Sequence, residues 1–405
     1  MTAPEPFLFR HSTRRIIYDT SALVSIGELV QTRRLRRVAL VIDGFFRETE
    51  VCEQVRGRVQ RNGAAFAVHS PPNQEPDTDS VETCRRFLAD FNPDCVLAIG
   101  GGSTMDTAKV ARIMLSNPGD VAESAGFDRE LLPHPSLFVC MPTTAGTGSE
   151  VSEMAVVSLA GSDIKLRYRS QNMTAEVAIL DPELTVSAPP SVTAACGFDA
   201  LTHAVEGFVS RLASPMTDPY TIDAVRRLAR WLPIAFEEPE NIDARGQCLL
   251  ASTLAACAFN STQLGLAHAI AAPLGALHHV AHGVANAFAL PSVTAFNEPC
   301  LGKKGVWLAE ALGSGSGESE AAVSGDAASC IAWLRERLAL DRGLDEVVKT
   351  EAEREAIAVA ALKSGNIPTN PREPTLADVR AVVSAMREPL KGTPPAERLL
   401  RSAGG

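Results

Sequence analysis

The sequence predicts an α/β domain with a parallel sheet over residues 1–188, followed by an all-helical domain over residues 189–405. Two observations predict it. Over the first part of the chain, short β-branched runs alternate with longer helix-compatible stretches, the mark of stacked βαβ units. After the pair Pro189-Pro190 the sequence turns rich in Ala and Leu and almost free of strand-like runs. A length of 405 residues suits such a division, since domains commonly hold about 100–200 residues.

The elements follow in order. Strands are predicted over 38–43 (VALVID), 65–69, 95–100 (CVLAIG) and 137–141 (LFVCM), with helices over 48–62 and 80–91 between the first three. In the second part helices are predicted over 191–196, 199–210, 219–232, 244–259, 264–279 and 375–387. The stretch 313–329 (GSGSGESEAAVSGDAAS) reads as a flexible connector, and the tail from residue 392 as frayed. No fixed-period repeat is visible.

Composition excludes several classes. A 45% hydrophobic and 21% charged chain is an ordinary globular one, neither disordered nor fibrous. The net charge of −10 argues against nucleic acid and anionic membrane partners. Nine cysteines without a C-x-x-C pair read as buried free thiols, and the first residues carry no apolar run of signal-peptide length, so a reducing, cytoplasmic setting is expected. Residues 246–297 contain no Asp, Glu, Lys or Arg. A membrane span is not the reading, because Asn260, Gln263, Pro273 and four of the eight histidines (His268, His278, His279, His282) interrupt the apolar residues. Buried helices fit better, with histidines that need buried partners; a metal is one such partner.

Two loops carry the first chemical signal. The strand 95–100 runs into Gly100-Gly101-Gly102-Ser103 and then a helix that includes Asp106; the strand 137–141 runs into PTTAGTGSEV, with Thr143, Thr144, Thr147 and Ser149, and then a helix or turn. Glycines let backbone approach a pyrophosphate, a helix start favours an anion, and ligands of parallel sheets gather at the carboxyl ends of strands. The G-x-G-x-x-G fingerprint is absent. Asp43, ending the strand 38–43, is placed to accept hydrogen bonds from an adenosine ribose and to repel a 2′-phosphate, which favours NAD(H) while leaving NADP(H) open; a helix cap is the plainer role for such an Asp.

The second signal is Asp199 and His203, four residues apart and so on one face of a helix, where both can reach one cation. The uncharged segment adds His268 and His282. One carboxylate and three imidazoles suit a divalent ion such as Fe²⁺ or Zn²⁺.

These motifs together resemble the iron-containing (group III) alcohol dehydrogenase family. The resemblance runs in order through VALVID, AIGGGSTMDTAK, MPTTAGTGSEVS, AILDPELT, GFDALTHAVEG, GLAHAIAAPLGALHHVAHGVANAFALP and IPTNPREPTLADV, nearly the whole chain. It implies a dinucleotide-binding domain, a helical domain and a catalytic metal with the cofactor in a cleft between them. It further implies that Asp199, His203, His268 and His282 hold the metal, that the GGGS and TTAGTGS loops hold the cofactor, and that Lys165 matches a cofactor-contacting lysine. One position departs: the family often reads H-A-x-x-H from His268, and the second histidine is Ala272 here. In the family that histidine lies near the nicotinamide and helps relay a proton, so His278, His279 or water must take its place. Ala281 likewise stands where a proline is common.

The expected reaction is hydride transfer between a nicotinamide and a small alcohol or aldehyde, in practice aldehyde reduction, with the ion stabilising the developing alkoxide and His268, His282 and His278 as catalytic histidines. A maleylacetate-reductase-like or polyol-dehydrogenase-like enzyme and a catalytically silent binding protein are the alternatives. The basic run Lys165, Arg167 and Arg169 raises a further one, an aldehyde bearing a phosphonate or carboxylate. A homodimer or higher homo-oligomer is expected.

Overall fold

Strand and helix alternate from the first described residues of the computed structural model, which describes residues 6–72, 75–127, 129–162, 164–313, 327–340 and 344–387. The chain divides into two compact units, one of His11–Ser187 and one from Ala188 onward that also takes in the stretch ending at Arg10. That stretch departs from the expected 1–188 domain because it is tied to helices: the Arg10 backbone N–H donates to Ser261 Oγ at 2.7 Å and Phe9 stacks on Tyr220.

In the first unit the order is β1 (Arg15–Tyr18), α1 (Val24–Thr32), β2 (Arg37–Ile42), α2 (Gly44–Arg47), α3 (Glu50–Arg61), β3 (Ala65–His69), α4 (Thr78–Phe91), β4 (Cys95–Gly100), α5 (Gly102–Ile113), β5 (Leu137–Pro142), β6 (Met154–Ser158), β7 (Lys165–Arg169) and β8 (Val177–Leu180). Six strands form one parallel sheet in the order β1-β8-β5-β4-β2-β3. Helices cover both faces, which is why β2, β4 and β8 are nearly continuous apolar runs. Alternate residues feed two cores: Ala39, Val41, Val96 and Ala98 on one face, Leu40, Ile42, Leu97 and Ile99 on the other.

The strands β1 and β8 and the antiparallel hairpin of β6 and β7 were not expected. The loop after β5 therefore leads through a turn into the hairpin, not into a helix.

The second unit is helical throughout its described residues: α6 (Pro190–Val209), α7 (Asp218–Glu237), α8 (Ile242–Thr262), α9 (Leu266–His278), α10 (His282–Asn297), α11 (Lys303–Ala311), α12 (Ala327–Arg337), α13 (Leu344–Val347), α14 (Glu351–Leu362) and α15 (Leu376–Ala385). The two helices expected over 191–210 are one. Gly197 does not break it, because an added Cβ there would meet the Leu232 side chain at 2.2 Å; the glycine admits α7 against α6. The uncharged segment is α8, α9 and α10, and among the described residues no helix is long and apolar enough to cross a membrane. The expected connector over 313–329 lies mostly outside the described residues, its last three positions opening α12, and the tail from 392 lies outside them entirely.

Candidate active site

Within the α/β unit three loops meet at the carboxyl ends of neighbouring strands. The Asp43 N–H donates to the Ile99 carbonyl at 2.9 Å, and the Thr143 N–H to the Gly100 carbonyl at 3.1 Å, so the ends of β2, β4 and β5 are joined side by side. Helix α5 starts behind Gly101 with no side chain capping it, leaving its first N–H groups for an anion. Two of the glycines are required by packing: a Cβ on Gly100 would lie 2.6 Å from Thr104, and one on Gly102 would lie 2.8 Å from the Thr147 methyl. Thr144 stands 3.5 Å from where a Gly101 Cβ would be. Gly100, Gly101, Gly102, Ser103, Thr143, Thr144 and Thr147 thus line one small-residue surface.

Other expected cofactor residues have partners inside the chain. Asp43 Oδ1 accepts the Phe45 N–H at 2.9 Å, capping α2. The Asp106 oxygens accept from Ser149 Oγ at 2.7 Å and from the Val156 N–H at 2.9 Å, tying α5 to the loop and to β6. The same bond occupies the Ser149 hydroxyl. Burial raises the Asp106 pKa, an effect opposed by Lys109. Lys165 is paired with the Glu75 carboxylate and donates to Ser158 Oγ at 3.0 Å, and Arg169 stands 4.0 Å from Glu153, so two of the three basic residues of this run stand beside acids.

In the helical unit, α6, α9 and α10 bring side chains to one point. Asp199 Oδ1 lies 3.4 Å from His282 Nε2, 3.6 Å from His268 Nε2 and 3.8 Å from His203 Nε2. Four ligands about 2.1 Å from one tetrahedral ion stand about 3.4 Å apart, so this donor set fits a divalent metal. The ligand atoms of Asp199, His268 and His282 all fall within 4.8 Å of one another, and the His203 ring stacks on that of His268 at 4.8 Å. Asp199, His203 and His268 are buried, whereas the His282 side chain is 53% exposed and forms the open side. The buried His203 Nδ1 and Asn286 Oδ1 have no hydrogen-bond partner, so the chain alone does not satisfy this cluster.

Backbone proximity makes the convergence possible. Gly283 presses the start of α10 onto α6, where a Cβ would lie 2.0 Å from the Ala195 carbonyl oxygen. Two residues absent from the sequence expectation complete the set. Glu206 Oε2 accepts from His268 Nδ1 at 2.6 Å, turning Nε2 toward Asp199. Asn286 Nδ2 donates to Asp199 Oδ1 at 2.7 Å and stands 3.2 Å from His268 Nε2. Helical spacing puts each on the face of a neighbouring ligand, Glu206 three positions after His203 and Asn286 four after His282, but these contacts are made to residues of other helices.

Burial pushes His203 down to about 4. Burial acts the same way on His268, but the carboxylates of Asp199 and Glu206 outweigh it and hold that imidazole up at about 9. Asp199 is opposed by burial too, yet the surrounding imidazoles hold it far below the usual carboxylate range. His278, the last residue of α9, is half-buried with an unpartnered Nε2, and His279 adopts the left-handed conformation that ends the helix.

Residues 13–182 match the family described as iron-containing alcohol dehydrogenase, and residues 193–387 match the C-terminal part of the Fe-containing alcohol dehydrogenase family. The NAD-dependent methanol dehydrogenase of Bacillus methanolicus is 31% identical over 368 residues, covering 91% of this chain and 96% of its own. A solved 1,3-propanediol oxidoreductase superposes with a TM-score of 0.88 at 31% identity, covering 94% of this chain and 100% of that one. The sulfoacetaldehyde reductase of Bifidobacterium kashiwanohense, solved with NAD+, does so at 0.85 and 26% identity, covering 95% and 99%.

Proposed function

The chain belongs to the iron-containing alcohol dehydrogenase family and is a metal-dependent, NAD-linked oxidoreductase of small alcohols and aldehydes; from that premise we propose that it works as an aldehyde reductase whose metal is held by Asp199, His203, His268 and His282. One observation carries the assignment: a single carboxylate oxygen within 3.4–3.8 Å of three imidazole Nε2 atoms. A bound Fe²⁺ or Zn²⁺ supplies Lewis-acid polarisation of the substrate C–O bond.

The chain's own residues prepare the rest. Glu206 fixes the tautomer and orientation of His268. Asp199 contributes the one carboxylate among three imidazoles, and with it the negative charge that favours a cation. The N–H groups at the start of α5, with the hydroxyls of Ser103, Thr143, Thr144 and Thr147, bind the cofactor diphosphate, and Asp43 disfavours a 2′-phosphate.

A homodimer is supported by β1 being an edge strand among the described residues, with Ile16 and Tyr18 exposed on it. Nine cysteines outside any disulfide accord with the cytoplasm. Relatives named for sulfoacetaldehyde keep an anionic aldehyde open as substrate, although the acids beside Lys165 and Arg169 weaken that reading.

The deciding experiment is steady-state reduction of a panel of neutral and anionic aldehydes with NADH and NADPH, alongside elemental analysis of His268→Ala and His282→Ala. The expected outcome is turnover of small neutral aldehydes with NADH, and loss of metal and activity together in both variants. Full metal content in either variant refutes the ligand assignment.

A further inference from the structure

The stretch IPTNP at 367–371, far beyond His268 in sequence, closes the start of the helix that carries it. Helix α9 follows Gly265, which has no side chain with which to cap it. Its first N–H groups are capped from elsewhere instead. The Leu266 N–H donates to Asn370 Oδ1 at 3.2 Å and the Ala267 N–H to Glu206 Oε1 at 2.6 Å, while the other oxygen of Glu206 takes His268 Nδ1. Gly265 makes room for both caps: a Cβ there would lie 2.9 Å from Asn370 Oδ1 and 2.9 Å from Glu206 Oε1.

Asn370 is itself held fast. It is 1% exposed, and its Nδ2 donates to Asn297 Oδ1 at 2.8 Å and to the Arg372 carbonyl at 2.6 Å. Asn297 Nδ2 returns a bond to Asn370 Oδ1 at 3.1 Å, and Thr369 Oγ1 donates to the Leu264 carbonyl. Asn297 is the last residue of α10, whose first residue is His282. One buried amide therefore touches both the start of the His268 helix and the end of the His282 helix.

We propose that Asn370, acting with Glu206, is a positioning residue of the metal centre: it fixes the first turn of α9 so that His268 Nε2 points at Asp199. This rests on His268 being a metal ligand. His268 is the third residue of its helix, so a first turn that frays or tilts carries the imidazole with it. A cap that served only stability would leave metal affinity unchanged when lost.

The test measures Zn²⁺ affinity of the full chain by competition with a chromophoric chelator, together with the Tm of the metal-free chain. Asn370→Leu removes the acceptor for Leu266, and Zn²⁺ binding is expected to weaken about 10-fold, the low end of the ~10–100-fold cost of losing an outer partner of a metal ligand. Asn370→Asp keeps the acceptor for Leu266 but loses both Nδ2 donations, so its affinity falls between those of the wild type and Asn370→Leu. Thr350→Ala, which removes the cap of α14 and contacts none of Asn370, Asn297 and Glu206, lowers Tm and leaves Zn²⁺ binding as in the wild type. If Leu does not fit and the chain fails to fold, Asn370→Ala makes the same comparison. Zn²⁺ affinity within twofold of wild type in the Leu or Ala variant overturns the proposal. His268→Ala run in parallel separates the two claims: if it binds Zn²⁺ like the wild type, the ligand assignment has failed and the proposal falls with it; if it loses Zn²⁺ while Asn370→Leu keeps it, only the positioning role has failed.

Discussion

The two units build their sites in opposite ways. At the strand-end loops of the α/β unit, glycines pack against threonine side chains while charged side chains are buried behind them as struts. Lys109, fully buried, donates to the carbonyls of Ser152 and Met154 at 2.9 Å each, and Asp106 takes Ser149 and Val156. In the helical unit it is side chains that converge on the binding point, and backbone contacts such as Gly283 against Ala195 that support them. Substitution should therefore act indirectly in the first unit, through the placement of a loop, and directly in the second, through loss of a donor.

The largest break in that comparison is Lys109→Met. It leaves two buried carbonyls without a donor and Asp106 without its nearby cation, 3.8 Å away. Breaking a buried charged contact costs about 3–5 kcal/mol, so a Tm drop on the order of 10 °C is expected. Thermal unfolding and NAD(H) titration should show affinity falling with stability while metal content holds. If stability falls and cofactor affinity does not, the strut serves the fold alone. A milder version is Gly102→Ala, whose Cβ would meet Thr147 at 2.8 Å. Displacing that loop by a few tenths of an ångström should raise KM for NAD(H) about tenfold, the equivalent of ~1.4 kcal/mol, with kcat and bound metal little changed.

The same contrast governs what was legible in the sequence. Runs such as CVLAIG and VALVID declare themselves because a strand buried on both faces must be apolar throughout. The edge strand β1 (RIIY) is exposed along most of its length and gives no such run. KLRYR reads as a basic cluster because the acids beside its first and last residues, Glu75 and Glu153, come from other segments. Asp199 and His203 were visible because both lie on one helix. Glu206 was not, since its meaning depends on α9 packing across it, and Asn370 lies farther off still. Spacing within an element can be read from sequence; a partner supplied by another element cannot.

Asp43→Ser sharpens the comparison with a smaller effect. Serine caps α2 as aspartate does, so the substitution removes the charge and spares the structure. Two unit charges about 4 Å apart in water interact by about 1 kcal/mol, and the ratio of kcat/KM for NADPH over NADH should rise about fivefold. No change in that ratio means the carboxylate at the end of β2 acts only as a cap.

The smallest effect is expected at His278, and it bears on the proton route left open by Ala272. Ala272 lies one turn beyond His268 on the same helix, where an imidazole would share the His268 face. His278 is ten residues along, about 15 Å down the helix axis at 1.5 Å per residue, too far to stand beside the ligand cluster. Helix α9 also packs against α14, and the approach of His278 to Glu353 is one minor reason, behind hydrogen bonds from Thr350, why that carboxyl is held below its usual range. We therefore propose water as the proton carrier. His278→Phe should leave kcat within about threefold at full metal occupancy, and Ala272→His should be tolerated or faster. General acid–base assistance is typically worth about 10²–10⁴-fold, so a loss of roughly 100-fold in His278→Phe with metal still bound would place the relay on His278 and refute the water route.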